Sequence, residues 1–220
     1  MSLTVDLYWS FRSPYSYLAT RRLFELQRDR TVHIRFRPVY PLAVRSENFF
    51  ATVNPKWVKY VQKDAPRLAE YLGLPFRWPK PDPIVQDMAT LTVAKEQPYI
   101  RRLTRMGQAA ADLDKGMAFA HEVSSMLWSG TRGWHEGDHL RAAAARAGLD
   151  IDVLDAAIEA DPDGYDARIA ANQDALEAAG HWGVPTMVFD GEAFFGQDRI
   201  DLLEWRLTQA GLADRASAGA

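Results

Sequence analysis

The stretch LTVDLYWSFRSPYSYLATRRLFELQRDRTVHIRFRP, residues 3–38, decides the architecture. Leu3, Val5, Leu7 and Trp9 alternate with Thr4, Asp6 and Tyr8, the period of a half-buried strand. Ser13 then stands at a helix N-cap, with Pro14 at the first helical position, where a missing N–H costs nothing. Leu18, Ala19, Leu23 and Leu26 recur at helical spacing as far as Arg28. A second alternation follows, Val32, Ile34 and Phe36 against His33, Arg35 and Arg37. Strand, helix and strand at these lengths predict a parallel pair joined by a right-handed crossover.

The same texture returns near the C-terminus. Pro185 to Phe189 reads as a short strand, Asp190-Gly191 as a hairpin turn, and Glu192 to Phe195 as its partner. Asp198 is expected to cap a last helix that turns Ile200, Leu203 and Leu207 inward and ends at Gly211. Between these ends the chain is alanine-rich and helical in spacing. One stripe is Trp57, Val61, Ala65, Leu68 and Leu72, with Pro66 expected to kink it. Residues 72–83 form a proline-rich connection, and a long helix is expected over 108–128, burying Leu113, Met117, Phe119, Ala120 and Val123. A loop at 130–138 precedes helices at about 138–147, 151–160 and 163–179. The expected class is α/β: residues 1–40 and 179–212 form one discontinuous βαβ + ββα domain, 41–178 an inserted all-helical domain, and 213–220 a flexible tail.

Composition narrows the chemistry. The chain has 220 residues, no cysteine, and a formal charge of −3 from 26 basic and 29 acidic side chains. At 47% hydrophobic residues it has ample material for a core. The absence of cysteine removes disulfides, iron–sulfur clusters, thiolate zinc sites and a cysteine nucleophile. The near-balanced charge gives no reason to expect nucleic acid or membrane binding. No targeting or membrane-spanning segment is read, so a cytoplasmic protein is expected. His135 and His139 are four apart but lack a third ligand at matching spacing, so no metal is expected. Ser124, Ser125 and Ser129 lie in no GxSxG elbow, and neither GxxxxGK nor GxGxxG occurs.

A βαβ unit followed by a ββα unit is the thioredoxin-like layout. Where thioredoxin-like disulfide enzymes open their first helix with CxxC, this chain reads Ser13-Pro14-Tyr15-Ser16. The strings FRSPYSYLA at 11–19, GVPTM at 183–187 and FFGQDRIDLLEW at 194–205 together resemble the 2-hydroxychromene-2-carboxylate isomerase family. That family is close to the kappa-class glutathione transferases and the DsbA-like proteins. The order and separation of the three motifs match across essentially the whole chain.

The resemblance implies glutathione as cofactor, its thiolate held by the Ser13 hydroxyl at the positive end of the first helix. Without the other motifs, Ser13 reads simply as an N-cap. The resemblance further implies a cis bond at Val184-Pro185, with the Val184 backbone pairing with the tripeptide like an added strand. It places Asp198 and Arg199 at the γ-glutamyl end, and Asn54, Lys56 and Asn172 as further cofactor contacts. His181 and Trp182 belong to the turn before the proline. For the substrate, Trp9, Phe11, Tyr15 and Trp57 are candidates to wall a pocket, core packing being the alternative for these aromatics. Lys56, Lys59 or Arg45 are candidates to hold a carboxylate.

The activity so implied is interconversion of 2-hydroxychromene-2-carboxylate and trans-o-hydroxybenzylidenepyruvate, a step in naphthalene-type catabolism, by a homodimer. A kappa-like transferase conjugating electrophiles would use the same site. A non-catalytic thioredoxin-like binding module is the rival of another class. A disulfide oxidoreductase is excluded by composition.

Overall fold

The computed structural model describes residues 3–46, 49, 53–87, 90 and 92–215. Its elements follow the expected order. Strand β1 (Leu3–Trp9), helix α1 (Pro14–Asp29) and strand β2 (Val32–Pro38) come first. The helical segment comprises α2 (Leu42–Arg45), α3 (Pro55–Tyr71), α4 (Pro98–Asp112), α5 (Gly116–Trp128), α6 (His139–Arg146), α7 (Ile151–Ala160) and α8 (Pro162–Ala178). The chain then forms β3 (Thr186–Phe189), β4 (Glu192–Phe195), a 3₁₀ turn (Gln197–Arg199) and α9 (Ile200–Gln209).

The four strands lie in the order β2-β1-β3-β4. β1 and β2 are parallel with Val5 opposite Ile34, as the crossover argument requires. β3 runs antiparallel to both β1 and β4, with Met187 opposite Leu7 on one side and Phe194 on the other. The alternation is realised at the centre of the sheet, where Val5, Leu7 and Trp9 are fully buried. One apolar cluster joins these to Leu18 and Leu23 of α1 and to Ile100, Leu103, Phe119 and Trp128 of the helical segment. The pairing of Tyr8 with Thr186 brings the residues just before β3 alongside the turn between β1 and α1. That register builds the site.

Three expectations are corrected here. The helix expected over 108–128 is two helices, because Asp114 adopts a positive φ of 57° between α4 and α5. Leu113 consequently leaves the core and is 55% exposed. Gly116, at the start of α5, permits close approach to β2: a Cβ there would lie 2.6 Å from that of Phe36. In α3 the helix continues through Pro66, with Ala65 and Ala69 buried, while Trp57 at its start is exposed. Residues 213–215 do not belong to a loose tail. The Thr31 N–H donates to the Ala213 carbonyl (2.9 Å), and an Arg215 guanidinium N–H donates to the Gln27 carbonyl (2.8 Å). The final turn of α1 leaves backbone groups that this segment satisfies. Residues 216–220 lie outside the described residues.

Candidate active site

Ser13 is the N-cap of α1, with φ −91° and ψ 117°. Its hydroxyl oxygen accepts from the Ser16 N–H at 3.1 Å, and its O–H donates to the Val184 carbonyl at 3.3 Å. Pro14 has no N–H, and Tyr17 N–H donates to the Ser13 carbonyl. Among the described residues, the Tyr15 N–H therefore remains as an unpaired donor at the positive end of the helix.

The opposing loop is shaped by a cis peptide bond at Val184-Pro185. Thr186 Oγ1 donates to the Gly183 carbonyl (2.7 Å), and the Gly196 N–H donates to the Pro185 carbonyl (2.9 Å). The Val184 N–H finds no acceptor among the described residues. One residue thus presents a free N–H beside a carbonyl held only by a side-chain hydroxyl, a pair of groups that suits an extended backbone laid alongside.

Around this loop His181 stacks on Phe195, centroids 3.9 Å apart, and its Nδ1 accepts from the Gly183 N–H at 2.9 Å. Burial holds the imidazole below its usual pKa, favouring the neutral ring with its proton on Nε2. Arg45 of α2 donates to the Trp182 carbonyl, while its buried Nε has no hydrogen-bond partner among the described residues. Tyr15 turns toward α3 and donates to Asp64 at 2.9 Å. Asp64 is buried, yet hydrogen bonds from Arg67, Tyr15 and Tyr60 outweigh that desolvation and lower its pKa. The phenol responds oppositely: burial and then Asp64 raise its pKa, so it stays a donor. Arg12, next to Ser13, makes a two-pronged pair with Asp82 at 2.5 and 2.6 Å and lies over Trp78.

Ser13, Val184 and Pro185 are therefore brought together as expected. Other candidates are placed elsewhere. Phe11 is fully buried, edge-on to Trp9 at 4.6 Å and to Phe119 at 5.9 Å, so it packs the core and walls no pocket. Trp9 is likewise interior, its indole N–H shared by the Ser16 carbonyl (3.0 Å) and Thr20 Oγ1 (2.9 Å). Asn172 is a buried clamp: its amide donates to the Pro38 carbonyl (3.0 Å) and Gln108 (2.9 Å), and its oxygen accepts from Arg37 (3.3 Å). Both its donors are spent within the protein, which leaves none for a cofactor. Asn172→Leu is expected to cost about 1–3 kcal/mol by stranding buried partners, measured by chemical denaturation.

Asp198 does not cap the last helix. It sits in the 3₁₀ turn and pairs with Arg199 at 2.8 Å, and both residues are exposed. Asn54 caps α3, accepting from the Lys56 N–H at 3.0 Å, while Lys56, Trp57 and Lys59 lie on that helix's exposed face. His135 packs edge-on against Tyr99, and no group of three or more potential metal ligands gathers among the described residues. Asp64 and Asp82 are the neighbours that sequence reasoning missed, whereas His181 lies in the turn before the proline as expected. Asp64 and Asp82 lie in stretches whose spacing reveals nothing about a partner 49 or 70 residues away.

A model of the DsbA-like thioredoxin domain matches residues 4–208. The chain belongs to the DsbA-like thioredoxin family. It is 29% identical over 209 residues to 2-hydroxychromene-2-carboxylate isomerase of Sphingobium xenophagum, covering 93% of this chain and 97% of that protein. It is 27% identical over 217 residues to human glutathione S-transferase kappa 1, covering 91% and 88%. The solved structure of an HCCA isomerase superposes with a TM-score of 0.63 at 20% identity, covering 94% of this chain and 96% of that one, a likeness of fold. Within the family, this chain carries serine at both ends of its Ser13–Ser16 motif and has no thiol anywhere. No helix among the described residues is long and apolar enough to cross a membrane.

Proposed function

We propose that this protein is a glutathione-dependent isomerase of the 2-hydroxychromene-2-carboxylate type. The observation that carries the reading is the Ser13 hydroxyl at the start of α1, facing the Val184 carbonyl beside cis Pro185 in a chain without cysteine. Likeness to an isomerase and to a kappa-class transferase over nine-tenths of the chain supports it.

The residues fit the tripeptide. When bound, glutathione supplies the sulfur nucleophile that this chain lacks. Val184 offers its free N–H and its carbonyl to an extended backbone. A ligand N–H would share the two-lone-pair Val184 carbonyl with the Ser13 hydroxyl or replace it, and a replaced hydroxyl would be free to donate its single hydrogen elsewhere. So freed, the O–H would meet a neighbouring anion together with the Tyr15 N–H and the helix dipole. Asp198 would accept from the γ-glutamyl amine and Arg199 would meet its carboxylate in place of their present mutual pair. Asn54 and Lys56 extend the cofactor contacts at the start of α3.

For the substrate, Tyr15 and Trp57 supply aromatic surface. Arg45, whose Nε has no partner among the described residues and which donates to the Trp182 carbonyl, is the cation best placed at the cis-proline loop for a carboxylate. The chain would orient the reactants, while the serine hydroxyl and helix start would stabilise negative charge on sulfur.

Calorimetric titration with glutathione tests the reading, with saturable one-to-one binding expected. No binding would favour a non-catalytic module. Parallel assays with the chromene carboxylate and a chlorodinitrobenzene-type electrophile separate isomerase from transferase, and faster conjugation than isomerisation would favour the kappa-like alternative.

A further inference from the structure

Helix α3 carries a cationic ridge. Steps of about 100° per residue place Lys56, Lys59 and Lys63 within about 60° of one another on its surface. All three are exposed, and none of their ammonium groups has a hydrogen-bond or ion-pair partner among the described residues. They are three of the six lysines in a chain of net charge −3. Many of the arginines, by contrast, are neutralised locally: Arg12 by Asp82, Arg102 by Asp155, Arg105 by Asp166. The ridge is a patch of positive field on a molecule that otherwise repels anions.

Its position gives that field a direction. Tyr60 and Arg67 lie beside the lysines on the wheel, and both hydrogen-bond Asp64 of the same helix. Asp64 in turn accepts from Tyr15, two residues from Ser13. The ridge is therefore carried on a helix tied through Asp64 and Tyr15 to the start of α1, where Ser13 stands. It also spans about 10 Å along the helix, too long for one small carboxylate to bridge, but comparable with the Debye length of about 8–10 Å near physiological salt. Three hydrated ammonium groups at that spacing act together through their summed field, which adds to any direct cofactor contact made by Lys56.

We propose that Lys56, Lys59 and Lys63 steer anionic reactants into the Ser13 site, selecting aromatic carboxylates over neutral electrophiles by their rate of arrival. The role rests on the reading of Ser13 given above. Lys63 is the informative member, lying one helical turn beyond the residues offered as contacts.

The experiment measures kcat/KM for the chromene carboxylate and for neutral chlorodinitrobenzene, at saturating glutathione, between 20 mM and 500 mM sodium chloride. At low salt, Lys63→Glu is expected to lower kcat/KM for the carboxylate about threefold, and reversal of all three lysines about tenfold or more. High salt should shrink both losses to about twofold or less, because the field is then screened. The neutral electrophile should show neither the loss nor the salt dependence. A loss that persists at high salt, an equal loss with the neutral electrophile, or no loss from Lys63→Glu would overturn steering while leaving the Ser13 reading intact. Absence of turnover with both electrophiles in the unsubstituted protein would overturn that reading and the steering role with it.

Discussion

Ser13→Ala is expected to lower turnover of the chromene carboxylate by more than tenfold, approaching the 10²–10³ range seen when one donor to a developing anion is removed. The substitution deletes the O–H that donates to the Val184 carbonyl, the hydroxyl proposed to meet the sulfur anion. It also deletes the α1 N-cap, because Ser13 Oγ accepts from the Ser16 N–H, at a cost of about 1 kcal/mol. The two losses separate with a second variant. Ser13→Asn retains capping capacity but has no hydroxyl, so it should restore stability while turnover stays low. Thermal denaturation and steady-state kinetics on both variants check the pair. Full activity in either one would remove the serine hydroxyl from the mechanism.

The second large effect is structural. Trp9→Ala is expected to cost about 3–5 kcal/mol, the range for deleting a large aromatic from a packed core. Trp9 is fully buried, packs edge-on to Phe11 and tilted against Phe36 (5.5 Å), and donates to Ser16 and Thr20 in the first turns of α1. In a chain of this size each kcal/mol shifts the midpoint by about 2–4 °C, so a fall of roughly 6–20 °C should be seen by calorimetry. Trp9→Phe keeps much of the volume but loses the indole donor, and should fall between. Below the midpoint, glutathione affinity should change little. A variant of normal stability with a raised KM would instead put Trp9 in a substrate pocket.

Much of this molecule was legible in its sequence because strand and helix periodicities are local. The alternations at 3–9 and 32–36 required only that one face be buried, and the sheet buries it. Pro14 and Ser13 announced the start of α1 through backbone chemistry within four residues. The break at Asp114 was hidden because apolar residues on both sides of it keep helical spacing, and a single left-handed residue leaves no period. The aromatic candidates divided for a similar reason. Phe11 and Trp57 are equally apolar in sequence, but one is enclosed by α5 and the sheet and the other lies at the exposed start of α3.

By itself, the sequence determined the order of elements, the serine-for-cysteine helix start and the family resemblance, since each is written in adjacent residues. Only the tertiary structure decided what those groups face: Ser13 toward Val184, Tyr15 toward Asp64, Asn172 inward between β2 and α4. Hydrogen bonds are short-ranged and directional, so their partners are chosen by the packing of segments 49 to 171 residues apart.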